Sequence, residues 1–321
     1  MDNKYDKQPK SGQELIEVLK NRDLSIEDEA RALRYLESIG YYRLSGYMFH
    51  LQVPGKMHQF TEGTSFNDII NTYKFDKRLR AIVMEYMERI EVALRAKMTD
   101  VYSSAHGFFW YASESLFTNK VVAASILAGI KSDFAIPKET FLKSYKKNYR
   151  AELLPPSQMV LETLSLGTLV TLYEALSGTQ HKVDIALWFG LPVNVLESWL
   201  VWLVNVRNIC AHHGRLWNKI VSAKRPLIPE KKSFKFYVSL HEDFHTKMYG
   251  AVALINRLLK SFNPDNSFTD KVEALIQEYG IDASLMGFPA DWKENAVWHH
   301  ESEHLRRPLS REEELRFARR G

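Results

Sequence analysis

The segment Val206 to Asn218, VRNICAHHGRLWN, gathers Arg207, Asn208, His212, His213 and Arg215 within nine positions at the end of an apolar run with helical spacing. An arginine guanidinium matches phosphate oxygens with two parallel hydrogen bonds. A histidine titrates near neutral pH and moves protons. Together the two can cleave RNA without a metal. The ribose 2′-oxygen attacks the adjacent phosphorus, Arg207 stabilises the charge that builds on the phosphoryl oxygens, and His212 takes the 2′-hydroxyl proton or gives one to the departing 5′-oxygen. Asn208 would orient His212 or contact the phosphate. One histidine does not easily serve both sides of an in-line displacement, so the second role falls to His213 or to another copy of the chain.

Helical geometry permits this arrangement without requiring it. Asn208 and His212 are four apart and share a face, whereas Arg207 and His212 are five apart and differ by about 140° around an ideal helix. A structural reading of the same residues stays open, in which the cations cap a helix and pair with Glu88 or Glu91; Arg215 and these two carboxylates are supporting candidates. Cys210 with the adjacent histidines does not make a four-ligand zinc set.

Two basic features lie within reach in sequence. Lys143, Lys146, Lys147 and Arg150 stand at i, i+3, i+4 and i+7, a stripe suited to an RNA backbone or to plain solvation, with Tyr145 and Tyr149 interleaved. Lys224 and Arg225 open a second basic stretch, continued by Lys231 and Lys232. A rival chemistry is spelled by His241, Glu242 and His245, a His-Glu-x-x-His pattern that on a helix would make a zinc hydrolase. Its context is poor, because no third ligand follows at a supporting spacing. No Gly-rich phosphate loop is present, and one cysteine excludes cysteine-rich zinc modules; no cofactor is expected.

The elements that must position these groups read as helices. The strongest pattern runs from Ile69 to about Met98, without Gly or Pro, and carries Glu88 and Glu91. Two short helices precede it, the second capped at Ser25. Further helices are expected from Pro137 to about Leu153, Met159 to Leu176 with Gly167 as an internal soft point, Asn194 to His213 stopped by Gly214, Ala251 to Phe262 and Thr269 to Tyr279. The aromatic stretch His106 to Phe117 reads as irregular and is a candidate contact region for a dimer. The chain is therefore expected to be all-α, with residues 9–292 as one helical domain and residues 293–321 as a polar, weakly ordered tail.

Composition bounds the rest. With 321 residues, 45% apolar and 26% charged, the chain can bury a sizeable core, which excludes wholesale disorder. The net charge of +4 permits a nucleic-acid partner without demanding one. A single cysteine fits a reducing compartment. Residues 1–10 lack the apolar core of a secretory signal, and the longest strongly apolar run, Trp199 to Val204, is far short of the roughly 20 residues that span a bilayer. The expectation is a cytoplasmic protein with no membrane partner.

VRNICAHHGRLWN resembles the signature of the bacterial Abi family, the abortive-infection proteins of the AbiD/AbiF type, related to the HEPN ribonucleases. Other segments resemble that family in order: GYYRLSGY at 40–47, GTSF at 63–66, YKFDKRLR at 73–80, MERIEVALR at 87–95, LETLSLGTL at 161–169, WFGLP at 188–192 and MGFPADW at 286–292. The resemblance implies a HEPN-like helical bundle with additional helices and a short irregular C-terminal tail. It also implies an RNase-type site at Arg207, Asn208 and His212, an RNA substrate, a homodimer, an RNA or protein antitoxin, and a role in phage defence. One departure is Leu166, at a place the family often gives to Phe.

Overall fold

The computed structural model describes residues 8–56, 58–221, 224–228, 246–295 and 298. Among them the secondary structure is entirely helical, with isolated bridges and no strand. In chain order the helices are α1 (Gly12–Lys20), α2 (Glu29–Ile39), α3 (Tyr41–Ser45), α4 (Phe66–His106), α5 (Lys120–Ala135), α6 (Thr140–Asn148), α7 (Ser157–Thr163), α8 (Leu166–Ala175), α9 (Gln180–Trp188), α10 (Val193–Ala211), α11 (Met248–Phe262) and α12 (Phe268–Tyr279). The chain divides into two compact units. One comprises residues 1–80 and 273–282, and the other residues 81–272 and 283–321.

In the first unit α1 packs on α2 and α2 on α3. The N-terminus of α1 is a capping box, with the Ser11 hydroxyl accepting from the Glu14 N–H while the Glu14 carboxylate accepts from the Ser11 N–H. The start of α2 differs from expectation: Asp28 is its cap, accepting from the Arg31 N–H, and Ser25 instead bridges to Ser65. Two of the sequence segments meet in this unit. The Tyr47 hydroxyl donates to Asp76 Oδ2 at 2.6 Å, and Arg80 pairs with the same carboxylate one helical turn on. All three side chains are buried.

The second unit is built around α10. Its side chains Leu196, Trp199, Leu200, Leu203 and Val206 are fully buried and recur at helical spacing, and α8, α9 and α11 pack on it. No single helix among the described residues is long and apolar enough to cross a membrane; α9 and α10 pass such a test jointly but meet at 62°.

The α9–α10 corner is set by Gly190 in the WFGLP segment. Its φ of +68° puts it in the left-handed region, and the N–H groups of Gly190 and Leu191 return to the carbonyls of Leu187 and Ala186. The Gly190 carbonyl accepts from Arg257, whose guanidinium burial pushes down to about 10. A Cβ at 190 would lie 2.8 Å from that guanidinium. Gly190→Ala is therefore expected to lower stability by roughly 1–3 kcal/mol through backbone strain, read as a lower midpoint in urea unfolding. An unchanged midpoint would mean the corner tolerates a side chain.

Local chemistry moved several boundaries. The expected helix from Met159 to Leu176 is two helices, broken at Leu164 and Ser165, because the Ser165 hydroxyl caps α8 by accepting from the Thr168 N–H. The break is not at Gly167. The helix expected from Pro137 is the shorter α6, which begins at Thr140. Within the aromatic segment Trp110, Tyr111 and Phe117 are buried, and Phe108 and Phe109 are exposed.

Candidate functional site

The site is made by how α10 stops. His212 is the C-cap, and its N–H bonds the Asn208 carbonyl at 2.9 Å. The N–H of His213 returns to Cys210 and that of Gly214 to Ile209, the paired closure of a Schellman turn. The left-handed position, usually glycine, is held here by His213 at φ +56°. Gly214 is needed for a different reason: a Cβ there would lie 3.1 Å from the Ile209 carbonyl oxygen. His213→Gly should relieve the left-handed strain and stabilise the fold by about 0.5–1 kcal/mol, seen as a higher Tm. A fall in Tm would show that the His213 side chain contributes more than its backbone loses.

This closure presents the polar residues together. Arg207 and Asn208 are half-buried beside the apolar face, and His212 and His213 are exposed. The last carbonyls of α10 already accept from N–H groups, so the negative end of the helix is partly satisfied before any phosphate approaches. Helical order through Ala211 keeps Arg207 and His212 about 140° apart around the axis.

Arg207 is held from α4. Its guanidinium lies 3.9 Å from Glu91 Oε2, and its Nη1 donates to Asn208 Oδ1 at 3.3 Å. Glu91 is itself fixed by Arg95 one turn along α4. Arg95 in turn donates to the Leu164 carbonyl at 2.6 Å and to that of Glu162 at 3.4 Å, where α7 ends. Glu91 thus bridges two arginines. Neither carboxylate candidate orients the imidazole: no described residue hydrogen-bonds the His212 ring, and Glu88 is exposed without an ion pair to a described residue. Asn208 likewise contacts Arg207 with its side chain instead of His212. Arg215 follows, half-buried.

The Glu91–Arg95 pair follows from i, i+4 spacing on one helix, whereas no local spacing encodes the tie from Arg95 to Leu164.

The basic candidates lie elsewhere. Lys143 and Lys147 are exposed on α6. The Lys146 ammonium turns to the carbonyls of Phe134 and Ala135, capping the C-terminus of α5. Arg150 lies beyond the end of α6, its Nε reaching the Lys147 carbonyl at 3.4 Å. Lys224 and Arg225 are exposed in a stretch pinned near the start of α10, where Trp199 donates to the Leu227 carbonyl and Leu227 to the Ser198 hydroxyl. Lys224 acts on Glu174 of α8. Burial and then Glu197 raise that carboxyl above the usual carboxylate range, with Lys182 and Lys224 pulling it back. Ser198 and Arg207 are separated by about 13 Å along the helix axis, so this stretch is anchored at the other half of α10 from the histidines. His241, Glu242 and His245, and with them Lys231 and Lys232, lie outside the described residues, as does the tail from 299. Among the described residues no group of three or more His, Cys, Asp or Glu is arranged to hold a metal ion.

Chemically the arrangement offers a tethered guanidinium that can hold a phosphate and, from the same helix end, an imidazole open to solvent. No curated protein and no solved structure matches the chain. The model of one family, Abi-like protein, matches residues 34–218. The match begins within α2 and ends just past Trp217, so it takes in GYYRLSGY, YKFDKRLR, MERIEVALR, WFGLP and the whole VRNICAHHGRLWN segment, and leaves out MGFPADW. Covering more than half of the sequence and ending on the residues that build this helix terminus, it establishes that the chain belongs to the Abi-like protein family.

Proposed function

We propose that this chain is a metal-independent endoribonuclease of the HEPN type, acting as a toxin in abortive infection. The observation that carries the reading is the pairing of a positioned arginine with an exposed histidine on one helix terminus: Arg207 held toward Glu91, and His212 facing solvent. In the reaction the 2′-oxygen forms a bond to phosphorus, the phosphorus–5′-oxygen bond breaks, and the proton lost from the 2′-hydroxyl is balanced by one delivered to the 5′-oxygen. Arg207 binds the non-bridging oxygens as their charge grows. His212 performs one of the two proton transfers. The other is assigned to a second copy, which makes the working form a homodimer; His213 is the alternative within one chain. A cytoplasmic site of action follows from an RNA substrate, and restraint by an RNA or protein antitoxin follows from the toxin role.

Purified protein incubated with total cellular RNA in excess EDTA tests this. The expected products carry 2′,3′-cyclic phosphate and 5′-hydroxyl ends. Cleavage that needs a divalent ion, or that leaves 5′-phosphate ends, overturns the mechanism.

A second reading, RNA binding without cleavage, is favoured by one observation: Lys143 and Lys147 stand exposed on α6 beside Tyr149, which stacks on Tyr145 with ring centroids 4.9 Å apart. Binding through such a face weakens steeply with salt. It would persist in variants of Arg207 and His212, which separates it from catalysis.

A further inference from the structure

We infer that His106 and His181 form a bidentate site for a divalent transition-metal ion of the zinc class, separate from the ribonuclease site. His106 is the last residue of α4 and His181 lies in the first turn of α9. The fold brings His106 Nε2 to 3.4 Å from His181 Nδ1, with ring centroids 4.9 Å apart and planes at 82°. That separation is long for a hydrogen bond between ring nitrogens. It is the separation of two ligands on one ion: nitrogens about 2.05 Å from a tetrahedral centre lie about 3.3 Å apart.

The rings are held rather than loose. The Tyr102 ring packs against both, with centroids at 6.0 Å from His106 and 5.9 Å from His181. Tyr102 is itself buried and braced by Trp110 at 4.8 Å. A pair fixed this way loses little freedom on binding an ion. The partial negative charge at the end of α4 favours a cation, and the first turn of α9 opposes it, so the imidazoles themselves must supply the affinity.

Among the described residues no third His, Cys, Asp or Glu completes the set. His106 is exposed, so the remaining positions are open to water or an exogenous ligand. The ion needs both facing nitrogens unprotonated. With the ion bound each ring carries its proton on the far nitrogen, and acidification weakens binding. His106 lies fifteen residues beyond Glu91, about 22 Å along α4, so an ion here does not touch the Arg207 guanidinium.

Calorimetric titration with zinc tests the site on the tag-free protein carrying His241→Ala and His245→Ala, so that the His-Glu-x-x-His pattern cannot contribute. One equivalent is expected to bind. His106→Ala and His181→Ala, added singly, should each weaken it at least about tenfold, the loss that even outer-shell partners of metal ligands produce. Cobalt substituted for zinc should give a visible ligand-field band that disappears in both variants. His106 is exposed at a helix end, so its variant is expected to fold, and its thermal melt verifies this. No bound equivalent in the starting protein, or an affinity unchanged by either substitution, overturns the site.

Discussion

Arg207→Ala is expected to lower RNA cleavage by on the order of 10²–10³, the loss that follows removal of one group aimed at developing oxyanion charge. His212→Ala should lower it by about 10²–10⁴, the range for a positioned proton-transfer group. Neither should unfold the protein. Arg207 keeps 27% of its side chain exposed, and after its removal Glu91 retains Arg95, so no carboxylate is left buried and unpaired. His212 is exposed at a helix end, where substitutions fall within about 0.5 kcal/mol of neutral. Because both residues would act in one transition state, the double variant should be little worse than the poorer single one. Single-turnover cleavage of a defined RNA, alongside thermal melts, reads all three. Wild-type rates in either single variant would remove that residue from the reaction. Losses that multiply fully in the double variant would mean the two contribute independently to the transition state and do not act as a unit.

The segment that carries this prediction was legible because its residue types are concentrated: two arginines, an asparagine and two adjacent histidines at the end of an apolar helix. Its tether was not. Glu88 and Glu91 look equivalent in sequence, and only the approach of Arg207 to α4 selects Glu91. Closure of α10 was also misread in detail, since glycine is the usual left-handed residue and the chain uses His213 there. Helices with a clear apolar stripe, such as α4, were readable. Helix α5 was not, because alanine, valine, isoleucine and leucine run all round it in KVVAASILAGI and leave no face to detect. Helix α9 escaped for the opposite reason. It opens on Gln180, His181 and Lys182, which read as solvent-facing, yet Lys182 is buried, pairing with Glu197 at 2.6 Å and capping the carbonyls of Glu174 and Leu176 at the end of α8. Burial of a lysine by long-range partners is invisible to local pattern.

The largest stability effect is expected at Asp76. This fully buried carboxylate accepts from the Tyr47 hydroxyl and from Arg80, itself only 8% exposed. Asp76→Ala removes the charge opposite a buried guanidinium, and breaking such a pair from one side destabilises by about 3–5 kcal/mol. Against a typical total of about 5–15 kcal/mol, that approaches the stability of the unit it sits in. Tyr47→Phe should cost less, about 1–2 kcal/mol, because the ion pair survives and the Tyr47–Asp76 hydrogen bond is what goes. The pH dependence separates the two contributions. Burial, and then the Asp76 charge, hold the Tyr47 phenol well above its usual range, so the folded protein keeps a proton that the unfolded chain loses above about pH 10. Folding then binds more protons than unfolding, and stability falls as pH rises past that point. Tyr47→Phe should remove this residue's share of the alkaline loss, leaving that of other buried phenols such as Tyr111 and Tyr173, which burial also raises, and should keep the neutral-pH order, wild type above Tyr47→Phe above Asp76→Ala, intact. Urea unfolding at pH 7 and 10.5 measures both. An Asp76→Ala midpoint equal to that of Tyr47→Phe would mean that the carboxylate matters only as a hydrogen-bond acceptor, and that Arg80 finds its compensation elsewhere.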